Sequence, residues 1–136
     1  MLAVLHSFSD VVDLLLEQAG ANVRIHNQYH LTALDFVKSN VSILNGLIRH
    51  GAVLFNDVNL FQWLLVNNHR RLARLLFEAG YTPSNSVAVP QRVRSLKSLC
   101  RLEIRWQTPG SHFRSRIRSL PMSNSQLIRY ILLDDI

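Results

Sequence analysis

The sequence predicts an all-α protein, and three observations carry that prediction. Apolar stripes at helical spacing recur three times within the first 80 residues, each ending at a glycine. The last 44 residues or so hold three further short stripes, separated by proline- or glycine-containing breaks. With 136 residues, 48% of them hydrophobic, the chain is long enough for one domain or a small repeat array with an appended motif around a modest core.

The N-terminal stripes superimpose as "VVDLLLEQAGAN" from Val11, "ILNGLIRHGAV" from Ile43 and "LARLLFEAGYT" from Leu72. Glycine just past a helix enters the left-handed conformation at low cost, so Gly20, Gly51 and Gly80 read as helix stops. The stripes start 32 and then 29 residues apart, a period that signifies a helical repeat. Between the first two, "LTALDFV" opens another short apolar helix at Thr32 that runs through Val37. Only Met1 to His6 precede the first outer helix, too little for a full turn and inner helix. Val11, Leu15 or Leu16 should then be partly exposed unless something caps them, and the array reads as a truncated form of a longer one.

After Gly80 the composition shifts to "YTPSNSVAVPQ", a linker. A helix over residues 93–106 follows. Phe113, Ile117 and Leu120 then mark a second helix, and Leu127, Ile128, Ile131 and Leu132 a third, for which Ser123 and Gln126 form a capping box. In the first of these, Leu96, Cys100 and Ile104 recur at intervals of four and share a face, with Leu99, Leu102 and Trp106 on neighbouring faces. That is more apolar girdle than a three-helix fragment can easily bury, so part of it should face a partner.

Several function classes are disfavoured. Asp13, Glu17, Asn45 and Arg49 break the longest apolar runs, so no membrane span is expected, and the N-terminus lacks the features of a secretory leader. One cysteine makes no internal disulfide and fits a reducing, cytoplasmic setting. His26 and His30 lie four apart, but in a turn and without a third ligand, so no metal or cofactor is expected. No phosphate loop or nucleophile elbow is present, and no catalytic residues are assigned.

The net charge of +6 is concentrated: residues 92–118 hold eight arginines and lysines against Glu103 alone. One reading is a nucleic-acid-binding tail, with Arg114, Arg116 and Arg118 on phosphates and Trp106 or Phe113 stacking on bases. The other is a solvated face or one that meets an acidic partner.

The repeat units resemble the ankyrin repeat. Thr32 and Leu34 match its Thr-Pro-Leu-His turn, with Ala33 and Asp35 in place of the proline and histidine and Val37 in place of the later alanine; Gly20-Ala21-Asn22 and Gly51-Ala52 match its ending. The third unit has lost the turn. The pattern Ser95-Leu96-x-x-x-Cys100-x-x-x-Ile104 resembles the elongin-binding element of the SOCS box, and Leu120-Pro121-Met122-Ser123 its Leu-Pro-aliphatic-Pro element, with Ser123 where proline is usual and Leu127 and Tyr130 one residue late. Together these resemble the ankyrin-repeat and SOCS-box family over essentially the whole chain.

The resemblance implies a short ankyrin-repeat solenoid over residues 1–82, a linker over 83–92 and a three-helix SOCS box over 93–136. It also implies a non-catalytic substrate adaptor of a cullin-RING ubiquitin ligase. Leu96 and Cys100 would enter a pocket on elongin C, which is bound with elongin B, and Ile104 would pack behind them. Leu120, Pro121 and Met122 would meet cullin five, which carries the RING subunit, while the repeats hold a target protein the sequence does not name. A third reading keeps an ankyrin scaffold whose C-terminal helices merely cap the array.

Overall fold

The computed structural model describes residues 1–37, 39–52, 58–81 and 95–134. Among the described residues it contains eight α-helices and one short 3-10 helix, with no strand. The expected linker over 83–92 and the expected helix start at Val93 lie outside the described residues.

The N-terminal part is built from α1 (Leu2–Leu5), α2 (Ser9–Glu17), the 3-10 turn η1 (Ala33–Phe36), α3 (Val41–Arg49), α4 (Val58–Val66) and α5 (Arg70–Glu78). The three apolar stripes correspond to α2, α3 and α5. Consecutive units stack so that Val12, Leu16, Ile43, Leu44, Leu47, Leu64, Leu72 and Leu76 share one buried cluster. Residues 1–6, expected to be too few for a partner helix, contain the single turn α1, which packs on α2 and η1 and buries Val4. Val11 and Leu15 remain exposed, while Leu16 is buried and faces Gly46 of α3.

The expected helix from Thr32 through Val37 shrinks to one 3-10 turn. Asp35 accepts hydrogen bonds from the Thr32 amide and hydroxyl at 2.6 and 2.9 Å, closing the turn, and Val37 is already extended. Asn40 then starts α3 by accepting from the Ser42 and Ile43 amides.

The C-terminal part comprises α6 (Leu96–Gln107), α7 (Phe113–Arg118) and α8 (Ser125–Leu132). Phe113, Ile117, Ile131 and Leu132 form a second buried cluster, flanked by Ile104, Leu120, Met122 and Ile128. The N-cap of α8 is Asn124, not Ser123: its carboxamide accepts from the Gln126 and Leu127 amides, which puts the helix start one residue later than expected.

The two parts interlock along the glycines that follow α2, α3 and α5. Gly20 has φ +58 and its position is closed off by the His112 ring; Gly51 has φ +88, and a Cβ there would lie 2.9 Å from the Phe113 ring. Glycine therefore stops each helix and also lets the C-terminal helices approach the backbone. Leu102 covers Gly80 in the same way, and Leu133 sits in the N-terminal cluster.

Candidate functional site

Ser95 opens α6, its hydroxyl accepting from the Ser98 amide at 3.2 Å, and the helix runs to Gln107. Its two faces differ in kind. One carries Ser98, Arg101, Leu102 and Arg105, all buried against the rest of the protein. The other carries Leu96 (77% exposed), Leu99 (50%), Cys100 and Trp106 (49%) at the surface.

The buried face holds two arginines, Arg101 and Arg105, that the sequence reading had placed in a solvated or partner-facing basic segment. Each finds carbonyls at a helix C-terminus, where the last backbone acceptors lack intrahelical partners. Arg105 donates to Ile48 O at the end of α3 (2.7 Å) and to Ile131 O at the end of α8 (2.9 Å). Arg101 donates to Glu78 O at the end of α5 and pairs with the Glu78 carboxylate. From the N-terminal part, Arg24 donates to Gly51 O, Trp106 O and Arg105 O, tying the end of α6 to the end of α3. Arg49 donates to Leu133 O at 2.6 Å, and Asp134 bridges Arg49 and Arg114.

The negative ends of several helix dipoles thus meet at one cluster of guanidiniums, which makes burial of the cations tolerable. Burial, and then the nearby charges of Arg101, Arg24 and Arg114, push Arg105 down to about 9, so it stays charged at neutral pH. Burial likewise lowers Arg24.

This arrangement takes two of the five residues out of the nucleic-acid reading. Phe113 is buried, with the Arg24 and Arg105 guanidiniums over its ring, and Arg114 forms a two-point pair with Asp134 at 3.0 Å on each oxygen. Neither is presented to a nucleic acid. Trp106, Arg116 and Arg118 do remain at the surface.

The exposed face of α6 is kept apolar by the same economy of charge. Lys97 and Arg101 both lie 4.4 Å from the centre of the Tyr130 ring, on α8, so the charge of Lys97 is drawn sideways. Glu103 is drawn towards Gln107, which donates to it at 2.7 Å. What remains outward is a leucine pair, a thiol and an indole edge, suited to apolar protein docking and not to chemistry.

The residues singled out by sequence are divided between two places. Leu96 and Cys100 stand on the open face. Ile104 is half-buried, packs on the second cluster, and joins Leu120 in lining a groove of about 520 Å³ between α6 and α7. Pro121 is exposed and Met122 half-buried against the second cluster; neither lines that groove. The residues that sequence reasoning missed are Arg24, Arg49, Arg101, Arg105 and Asp134. No local pattern marks these residues, because their partners arrive from distant helix ends.

Among the described residues no group of three metal-ligating side chains occurs, and no helix is long and apolar enough to cross a membrane.

Residues 92–132 match the family model of the SOCS box. The match spans the whole of α6, α7 and α8. No curated protein and no solved structure matches this chain.

Proposed function

We propose that the chain is a non-catalytic adaptor that joins a target protein to a cullin-RING ubiquitin ligase through elongin B and elongin C. The observation that carries this reading is the SOCS-box match over residues 92–132, with Leu96 and Cys100 of that region on an open apolar helix face. In this reading Leu96 and Cys100 fill a pocket on elongin C. Ile104 supports them from behind, and Leu120, Pro121 and Met122 meet a cullin of the cullin-five type. The stacked helices of residues 1–81, read as a short ankyrin array, hold the target and raise its effective concentration near the charged ubiquitin carrier.

The interlock between the two parts favours this role. An adaptor that presents a target at a fixed place needs its recognition and recruitment surfaces held rigidly, and the guanidinium cluster joins them across the ends of α3, α5 and α8.

Co-expression with elongin B and elongin C tests the proposal. Wild type should co-elute as a stoichiometric complex at high salt. Leu96→Asp combined with Cys100→Phe should not, while keeping its helical circular dichroism, because both changes fall on exposed positions. Aspartate is preferred to proline at Leu96, the first helical residue, because proline is tolerated there. Absence of a wild-type complex would overturn the reading.

A further inference from the structure

The outer side of α2 is composed unlike that of α3 and α5. Counted back from the glycine that follows each helix, the ninth and sixth positions are Ser42 and Asn45 in α3 and Arg71 and Arg74 in α5, all exposed but for the half-buried Asn45. In α2 the same two positions hold Val11 (46% exposed) and Leu14 (51%). With Phe8 at the N-cap (58%) and the exposed Leu15 they fall at i, i+3, i+6 and i+7, an apolar stripe at helical spacing. Val12 and Leu16 already bury a different face of α2 in the core, so the fold does not use this second stripe. A row of carboxylates runs beside it. Asp10 and Asp13 each precede a stripe residue by one position, about 100° round the helix, and Glu17 continues the row. All three are exposed; among the described residues Asp10 and Asp13 have no ion pair, and Glu17 lies 3.2 Å from His50 Nε2. The sequence holds no lysine or arginine before Arg24, whose guanidinium is committed to the Gly51, Arg105 and Trp106 carbonyls.

We propose that this side of α2 docks a cationic amphipathic helix of a partner protein, its apolar stripe on Phe8, Val11, Leu14 and Leu15 and its lysines or arginines at Asp10 and Asp13. A stripe at this spacing is one helix wide, the shape that a second helix packs against. Charge complementarity then selects the occupant. A second copy laid antiparallel on α2 sets acidic row against acidic row, whereas a cationic helix pairs with it. The protein carries +6 overall and repels such a helix elsewhere, so the attraction is local to this face. The proposal rests on the adaptor reading only in making that helix part of the ligase's target; the face is built on α2, whereas Leu96 and Cys100 stand on α6.

The test is fluorescence anisotropy of a fluorescein-labelled peptide, KLAKLLAKLAKA, titrated with the full chain beside its acidic twin, ELAELLAELAEA. The cationic peptide should bind at least about tenfold more tightly than the twin. Val11→Gln with Leu14→Gln, which gives α2 the polar character of the matching positions in α3, should weaken binding about tenfold or more with helical circular dichroism unchanged. Asp10→Asn with Asp13→Asn keeps the stripe and should weaken binding about threefold while flattening its salt dependence. Leu99→Gln, on the exposed face of α6, should leave it within about twofold. No binding of the cationic peptide at low salt, equal binding of the twins, equal loss in Leu99→Gln, or a wild-type dimer that Val11→Gln with Leu14→Gln dissolves would each overturn the proposal. Elongin co-elution of the same preparations separates the two ideas. An elongin complex without peptide binding overturns the docking face alone, and selective peptide binding without an elongin complex overturns the adaptor reading while supporting the face.

Discussion

The two faces of α6 exchange the roles that hydrophobicity would assign them. The face with Leu96, Leu99 and Trp106 is exposed, and the face with Arg101 and Arg105 is buried. Burial here follows the supply of partners. A guanidinium has five donors, and at this site the ends of α3, α5 and α8 offer carbonyls with acceptor capacity to spare. Leu96 and Leu99 find no such complement among the described residues and stay at the surface.

That contrast is broken most severely by removing Arg105. Arg105→Ala removes two charge-assisted hydrogen bonds in the interior, to the Ile131 carbonyl and to the Ile48 carbonyl, which keeps the Gly51 amide, at about 3 kcal/mol for the two. Urea unfolding followed by circular dichroism should show the midpoint falling with a single cooperative transition, because the cluster joins both parts of the chain. Gly51→Ala comes next, at about 2 kcal/mol: it combines a left-handed backbone with a Cβ pressed on the buried Phe113 ring, so the same assay should register both strain and repacking. Asn124→Ala removes the two-amide cap of α8 and should cost about 1 kcal/mol, with Ser123→Ala near neutral, a pair that sharpens where the helix begins.

The smallest effect concerns pH. His50 is buried at the end of α3, its Nδ1–H donating to Gly46 O at 2.8 Å and its Nε2 lying 3.2 Å from the Glu17 carboxylate. Burial outweighs both of these attractions and holds its pKa below the ordinary 6.5. The folded state then binds this proton less readily than the unfolded chain. The His50 contribution is therefore fully present above pH 6.5 and is lost as the pH falls through the lowered folded value. Urea midpoints measured across that acid range should fall for wild type and fall less for His50→Gln.

Much of the architecture was legible in the chain. The recurring stripes that end at Gly20, Gly51 and Gly80 located α2, α3 and α5, and the spacing of Leu96, Cys100 and Ile104 marked a helix with surface to spare. What stayed hidden depended on tertiary partners. Nothing local distinguishes Arg101 and Arg105, which are buried, from Arg116 and Arg118, which are not; the difference lies in helix ends that arrive from residues 48, 78 and 131. The second function of Gly20 and Gly51, as landing points for His112 and Phe113, needed contacts across more than 60 residues of sequence. Even the short-range misses have this character. Ser123 and Asn124 are both good caps, and the packing of α8 chooses between them, while the one-turn α1 is held by contacts with α2 and η1 that a six-residue segment does not announce.

One comparison tests the exchange of faces most directly: the melting temperatures of Leu96→Asp and Leu102→Asp, identical changes six residues apart on one helix. Leu96 is 77% exposed at the first turn and Leu102 is 8% exposed over Gly80. Leu96→Asp should melt within about 2 °C of wild type, since an exposed carboxylate at a helix N-terminus costs little. Leu102→Asp should melt at least about 10 °C lower, because it buries a charge. Equal losses in the two variants, or the larger loss at Leu96, would contradict the assignment of the Leu96 face to a partner and the opposite face to the fold.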